Sequence, residues 1–180
     1  MIETKLIDGK AIAEGVRARV GRAVDRFKTQ AGVAPGLAVI LVGADPASQI
    51  YVRNKGIATR EAGMASFEIT LAENTSEEAL LAEIDRVNRD PAIHGLLVQM
   101  PLPAHISQER VLDAIAPEQH VDGLTALNAG RLASGRPALV PCTPQGALML
   151  IKSVRADLSG LDALVIGRSV LVGRPMAQLL

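Results

Sequence analysis

Tryptophan is absent from this chain of 180 residues, and tyrosine occurs once and phenylalanine twice. With aromatics at 2%, an interior has to be built from Leu, Val, Ile and Ala. That composition suits α/β layers better than an aromatic-rich β-sandwich. The single cysteine, Cys142, excludes an internal disulfide framework and fits a reducing compartment. No apolar run approaches the ~20 residues of a membrane span. The opening Met-Ile-Glu-Thr-Lys-Leu-Ile-Asp-Gly-Lys lacks the apolar core of a secretion signal. A soluble cytoplasmic protein with no membrane partner is the expectation. Neither sign of charge dominates: 19 basic and 19 acidic residues cancel. Without a long basic run, a nucleic-acid partner is not expected. What the chain does have is 48% hydrophobic residues, enough to bury a core in one ordinary domain or two small ones.

The hydrophobic periods alternate along the chain. Ile12, Val16, Val20, Val24 and Phe27 recur at helical spacing between Ala11 and Gln30. Leu37 to Val42 is a continuous apolar run of strand length, and Ala47 to Ala62 reads as a helix stopped by Gly63. Phe67 to Leu71 follows as a strand. Thr75-Ser-Glu-Glu78 has the capping-box form at the head of a helix ending near Asn88. Leu96 to Gln99 is a third strand, and Ser107 can cap a helix through Ile115. Strands alternating with helices predict a parallel sheet with crossover helices. From Ala116 to Pro141 glycine and proline loosen the pattern, which reads as a connector. Thr143-Pro144 suits a helix start, with Thr as the cap and Pro at the first helical position. That helix runs to about Val154. Ala163 to Ile166 reads as another strand, Gly167 to Gly173 as a loop, and Pro175 as the opening of a last helix. Leu180 falls one strand into this second unit, so a fragment or a partial view of a longer protein is expected.

Gly95-Leu-Leu-Val-Gln-Met-Pro-Leu-Pro103 is the most informative stretch. An apolar strand ends in an amide, Gln99, and Pro101 and Pro103 forbid further ladder bonding. A buried parallel strand reads this way where its C-terminal end opens onto a ligand crevice. Tyr51 and Lys55 lie four apart on one helix face. A ring and an amine so placed can stack on a flat substrate and move a proton, although on the spacing alone a snorkelling Lys beside a half-buried Tyr is the simpler reading. Asp122, in Val121-Asp-Gly123, can take paired N–H donors from a heterocycle; an Asp-Gly turn is the simpler alternative. Gly167-Arg-Ser-Val-Leu-Val-Gly173-Arg-Pro175 follows a strand and opens a helix. Phosphate binding favours that context, and a structural turn is as good a reading. The segment is neither G-x-G-x-x-G nor a P-loop. His94, His105 and His120 lack metal-ligand spacing, so they are expected to be structural and no metal is expected. Cys142, in Pro-Cys-Thr-Pro, is expected to be a packed loop residue.

Taken together, several segments resemble one family, the bifunctional methylenetetrahydrofolate dehydrogenase/methenyltetrahydrofolate cyclohydrolases. They are Asp45-Pro-Ala-Ser-Gln-Ile-Tyr-Val-Arg-Asn-Lys55, Gly95 to Pro103, Val121-Asp-Gly123, Asn128-Ala-Gly-Arg-Leu132, Pro141-Cys-Thr-Pro-Gln-Gly146 and Gly167 to Met176. They stand in the family's order and cover most of the chain. The resemblance implies a two-lobe α/β fold: an N-terminal folate lobe with a parallel sheet (1–120), a connector (121–142) and the start of a Rossmann-type NADP lobe (143–180), incomplete in this chain, with the active cleft between the lobes. It implies that Tyr51 stacks on the p-aminobenzoyl part of folate and that Lys55 handles the proton. Gln99 would orient Lys55, Asp122 would grip the pterin, and Val98 and Met100 would line the folate site. Gly167, Arg168, Ser169, Gly173 and Arg174 would hold the cofactor, with the Arg168 charge favouring NADP. The implied partners are tetrahydrofolate derivatives and a second copy of the chain, as a homodimer. Two other readings stay open here: a non-catalytic folate-binding fragment, and another two-lobe NAD(P) dehydrogenase.

Overall fold

The structure is a computed structural model and describes residues 6–180. The chain divides into two compact units. One is Arg17–Val121, and the other joins Asp122–Leu180 with the described residues up to Val16.

In the unit ending at Val121, helix α1 (Gly9–Ala31), most of which belongs here, leads to β1 (Gly36–Val42), α2 (Pro46–Glu61), β2 (Ala65–Leu71), α3 (Glu77–Asn88), β3 (Gly95–Val98) and α4 (Gln108–Ala114). Among the described residues the strands form one parallel sheet in the order β2-β1-β3. The central strand β1 is buried almost throughout, as a strand covered on both faces must be. The pleat sorts its side chains. Ala38, Ile40 and Val42 pack with Leu80, Ile84 and Val87 of α3 and with Val111 of α4, whereas Val39 and Leu41 pack with Val52 of α2. The same alternation in β3 sends Leu96 and Val98 to the α3 side and Leu97 to the α2 side.

Local chemistry sets the helix starts. Asp45 caps α2 by accepting from the Ser48 N–H at 2.7 Å, with Pro46 in the first turn. The cap of α3 is Ser76, accepting from Ala79 N–H at 3.2 Å, so the expected capping box at Thr75 is displaced by one residue. Ser107 caps α4 as expected. Asn88, the last residue of α3, donates to the Ala114 carbonyl at 2.8 Å and accepts from Ala116 N–H at 3.2 Å. One side chain thereby satisfies backbone groups where α4 ends.

The second unit holds α5 (Ala126–Ala133), α6 (Cys142–Val154) and α7 (Gly173–Leu179). Helix α5 lies inside the stretch expected to be irregular. Its signal was Thr125, whose hydroxyl accepts from Asn128 N–H at 3.2 Å, and Gly130 in its middle masked the pattern. Helix α6 begins at Cys142 after Pro141, with no side-chain cap, rather than at a Thr143 cap. Pro144 then sits in the first turn, where a missing N–H leaves no intrahelical bond unmade. The strand expected at Ala163 to Ile166 is not formed among the described residues. That segment has no paired neighbour there, and Leu164 and Ile166 are 88% and 94% exposed. A strand exists through its ladder, and apolar composition alone does not make one.

Candidate active site

Strand β3 ends at Val98, and Gln99 is the next residue. Its N–H still bonds the Ile40 carbonyl at 2.8 Å, so its backbone stays in register with β1. Pleat alternation then turns its side chain to the Leu97 face, the face covered by α2. There Lys55 Nζ donates to Gln99 Oε1 at 2.9 Å. The other end of the amide is used too: Gln99 Nε2 donates to the Met100 carbonyl at 2.7 Å. A carbonyl can only accept, so this bond fixes which way the amide faces and leaves Oε1 toward Lys55. The Met100–Pro101 peptide is cis. Lys55 and Gln99 are both half-buried. Tyr51, one turn before Lys55 on α2, is 62% exposed, more than the half-buried alternative requires.

Helix α2 is held at its head by Asp45. The Ser48 backbone N–H and hydroxyl hold the Asp45 carboxyl below the ordinary carboxylate value of 3.8. Beyond the C-terminal ends of the strands lies an open depression of about 380 Å³, lined by Val42, Gly43, Asp45, Glu73, Pro101 and Pro103 among others. It occupies the position where open parallel sheets take ligands. Its lining includes none of Tyr51, Lys55 and Gln99, so the depression by itself does not define the site. The defining feature is the lysine–amide contact.

The structure brings Lys55 and Gln99 together and puts Met100 in contact through its carbonyl. Val98 is placed differently: its side chain is buried in the cluster with Ala38, Ile40 and Leu80, on the other side of the sheet from Leu97. The segment after α4 comes back beside β3, with Leu96 N–H bonding the Gln119 carbonyl at 2.7 Å and His120 bridging Leu96 in parallel. Val121 then leads into Asp122, which is half-buried. His120 is 1% exposed, His94 Nδ1 accepts from Gly36 N–H at 3.1 Å, and His105 Nε2 lies 2.8 Å from the Thr75 carbonyl. Among the described residues, no group of three or more His, Cys, Asp or Glu is arranged to hold a metal ion. Cys142 is exposed and opens α6, so it is not the packed loop residue expected; a helix starting at 142 turns it outward.

The loop before α7 closes on itself. A Cβ on Gly173 would lie 2.4 Å from the Gly167 carbonyl oxygen, so the two ends meet backbone to backbone. Ser169 Oγ accepts from the N–H groups of Val172 at 3.1 Å and Gly173 at 3.4 Å. The Ser169 hydroxyl thereby ties the loop to the first turn of α7. Arg168 and Arg174 are exposed, and their charges are what this loop offers to a phosphate-bearing group.

Comparison with known proteins places these segments. The family model described as tetrahydrofolate dehydrogenase/cyclohydrolase, catalytic domain, matches residues 7–122. The NAD(P)-binding domain model of the same family matches residues 141–180. Bifunctional protein FolD 2 of Paracoccus denitrificans is 60% identical over 97% of this chain and 58% of its own length. The crystal structure of the bifunctional FolD dehydrogenase/cyclohydrolase from Campylobacter jejuni superposes with a TM-score of 0.94 at 42% identity, over 97% of this chain and 62% of that one. The Trypanosoma brucei enzyme, complexed with NADP cofactor and inhibitor, gives a TM-score of 0.93 at 34% identity, over 99% and 61% of the two chains. The chain therefore spans about six-tenths of the length of these relatives. Since the catalytic-domain match alone takes in more than half of its residues, the chain belongs to the tetrahydrofolate dehydrogenase/cyclohydrolase family.

Proposed function

We propose that this chain serves a bifunctional one-carbon folate enzyme. It oxidises 5,10-methylenetetrahydrofolate to the methenyl form with NADP and hydrolyses the methenyl form to 10-formyltetrahydrofolate. The observation that carries the reading is the Lys55–Gln99 contact at 2.9 Å, with the exposed Tyr51 one turn away on the same helix.

The two steps ask different things of the protein. In the first, a nitrogen lone pair of the folate expels hydride from the methylene carbon, so no side-chain base is required. Bound NADP supplies the hydride acceptor. The residues assigned to hold it are Gly167, Arg168, Ser169, Gly173 and Arg174: the side-chain-free backbone at Gly167 and Gly173 would let it approach closely, Ser169 keeps the loop closed, and the two exposed arginines would offer positive charge to its phosphates. In the second step water bonds to the methenyl carbon and loses a proton. The remaining hydroxyl proton then leaves as the carbonyl forms, the bond from that carbon to the ring nitrogen breaks, and the nitrogen gains a proton, so that one proton is released overall. Lys55 is the group assigned to move these protons. Gln99 Oε1 accepts from the Lys55 Nζ at 2.9 Å, which fixes where the amine sits. Tyr51 stacks on the p-aminobenzoyl ring, and Asp122 accepts from the N–H donors of the pterin. Met100 lines the folate site.

In this reading the unit containing α2 and β3 is the folate unit, and residues 143–180 contribute to the NADP site. The partners are tetrahydrofolate derivatives and a second copy of the chain, in the cytoplasm. Sedimentation velocity tests the dimer, and a monomer at micromolar concentration contradicts it. For the activity, purified protein is mixed with 5,10-methylenetetrahydrofolate and NADP, and NADPH and methenyl absorbance are followed at two wavelengths. NADP-dependent methenyl formation followed by its decay is expected. Absence of both, with folded protein, overturns the assignment.

A further inference from the structure

We propose that Gly123 is a positioning residue for Asp122: having no side chain, it lets the Leu139–Val140 backbone close over it, and this closure sets the backbone from which the Asp122 carboxylate is presented. The inference rests on the reading of Asp122 as the carboxylate that grips folate.

Gly123 is buried and has φ +64°, a conformation costly for most residues with a Cβ. A Cβ there would lie 2.3 Å from the Leu139 oxygen, 2.7 Å from the Leu139 carbonyl carbon and 3.0 Å from that of Val140. All three are backbone atoms, which cannot rotate aside as a side chain can. The covering segment is itself tied, because Pro141 follows it directly and α6 starts at Cys142. On the other side Thr125 caps α5 through Asn128 N–H. Before it, Val121 N–H bonds the Leu96 carbonyl at 3.3 Å. Asp122 is thus the short span between two anchored points, and a displacement at Gly123 falls on its φ and ψ. Gly135 shows that φ alone is not the point: it has φ +65° with nothing within 4 Å of a built Cβ.

The test is a double-mutant cycle on the full protein, using 5-formyltetrahydrofolate as the probe and calorimetric Kd as the readout. Asp122→Ala removes a charged hydrogen-bond partner and is expected to weaken binding about tenfold or more. Gly123→Ala is expected to weaken it about fivefold or more in the native background and not further in the Asp122→Ala background. Gly135→Ala should leave Kd unchanged. Leu139→Gly loosens the covering segment from the other side at a partly exposed side chain. It is the second variant should Gly123→Ala not fold, and the same masking by Asp122→Ala is expected. If Asp122→Ala weakens binding but neither positional variant does, or if their effects add in full to it, the positioning role is overturned and the reading of Asp122 stands. If Asp122→Ala itself leaves Kd unchanged, the reading of Asp122 falls, and the role of Gly123 with it.

Discussion

At Gln99 an amide does what neither a carboxylate nor an apolar residue of similar size can. Its oxygen accepts from Lys55 Nζ and its nitrogen donates to the Met100 carbonyl, so both ends are used and the orientation is unique. Gln99→Glu sets a carboxylate against a carbonyl oxygen at one end and against the lysine at the other. The neutral amide contact is lost, and methenyl hydrolysis is expected to fall about tenfold or more in this variant. Hydrolysis at the native rate in Gln99→Glu contradicts the assignment of Gln99 as the group that positions Lys55. The residue scale also supplies a built-in probe, because the chain has one tyrosine and no tryptophan. Quenching of tyrosine emission by a bound pteridine therefore reports on Tyr51 alone. Saturable quenching by 5-formyltetrahydrofolate is expected in the native protein and in Lys55→Met. Its absence in both, with binding seen by calorimetry, contradicts stacking at Tyr51.

At the scale of elements, α2 matters most because it carries both Tyr51 and Lys55 and is held at its head by Asp45. Folding depresses the Asp45 carboxyl through the Ser48 hydrogen bonds. A depressed carboxyl stabilises the fold fully above its unfolded value, and the contribution is lost as pH falls through the lower folded value. Asp45→Ala is therefore expected to lower the Tm at pH 7, by an amount that vanishes in acid well below pH 3.8. Asp45→Asn, a neutral cap of comparable strength, should keep most of the Tm at pH 7 and lose only the share of the pH dependence that Asp45 contributes. Thermal melts from pH 2 to 7 check both. Elements were legible in the sequence where a period and a cap agreed, as at Asp45-Pro46 and at Ser107. They were hidden where a glycine fell inside a helix, as at Gly130 in α5. At Ala163 to Ile166 a strand-like composition finds no ladder partner among the described residues, and no local pattern carries that information.

At the scale of the molecule, one parallel sheet sorts the chemistry. A fixed pleat with β1 at the centre buries Ile40, Leu80 and Ile84 on one face and leaves Gln99 to meet α2 on the other. The strand-end amide and the Tyr51–Lys55 spacing were both legible, but the bond between them depends on two elements 44 residues apart, which only the crossover brings together. The Met100 carbonyl as a partner was not legible at all, since sequence does not show which way an amide faces. The sheet itself is the support. Ile84 is fully buried between α3 and β1, and Ile84→Ala is expected to cost about 2–5 kcal/mol in urea unfolding. A cost below about 1 kcal/mol would contradict the packing described for that face.

The most direct test of the account is hydrolysis of added 5,10-methenyltetrahydrofolate by the native protein and by Lys55→Met, with folate binding verified by tyrosine quenching on the same samples. A positioned proton carrier contributes about 10²–10⁴-fold. The account predicts catalysed decay in the native protein and a loss of that order in Lys55→Met, with binding retained. Catalysed decay at the native rate in Lys55→Met would contradict it.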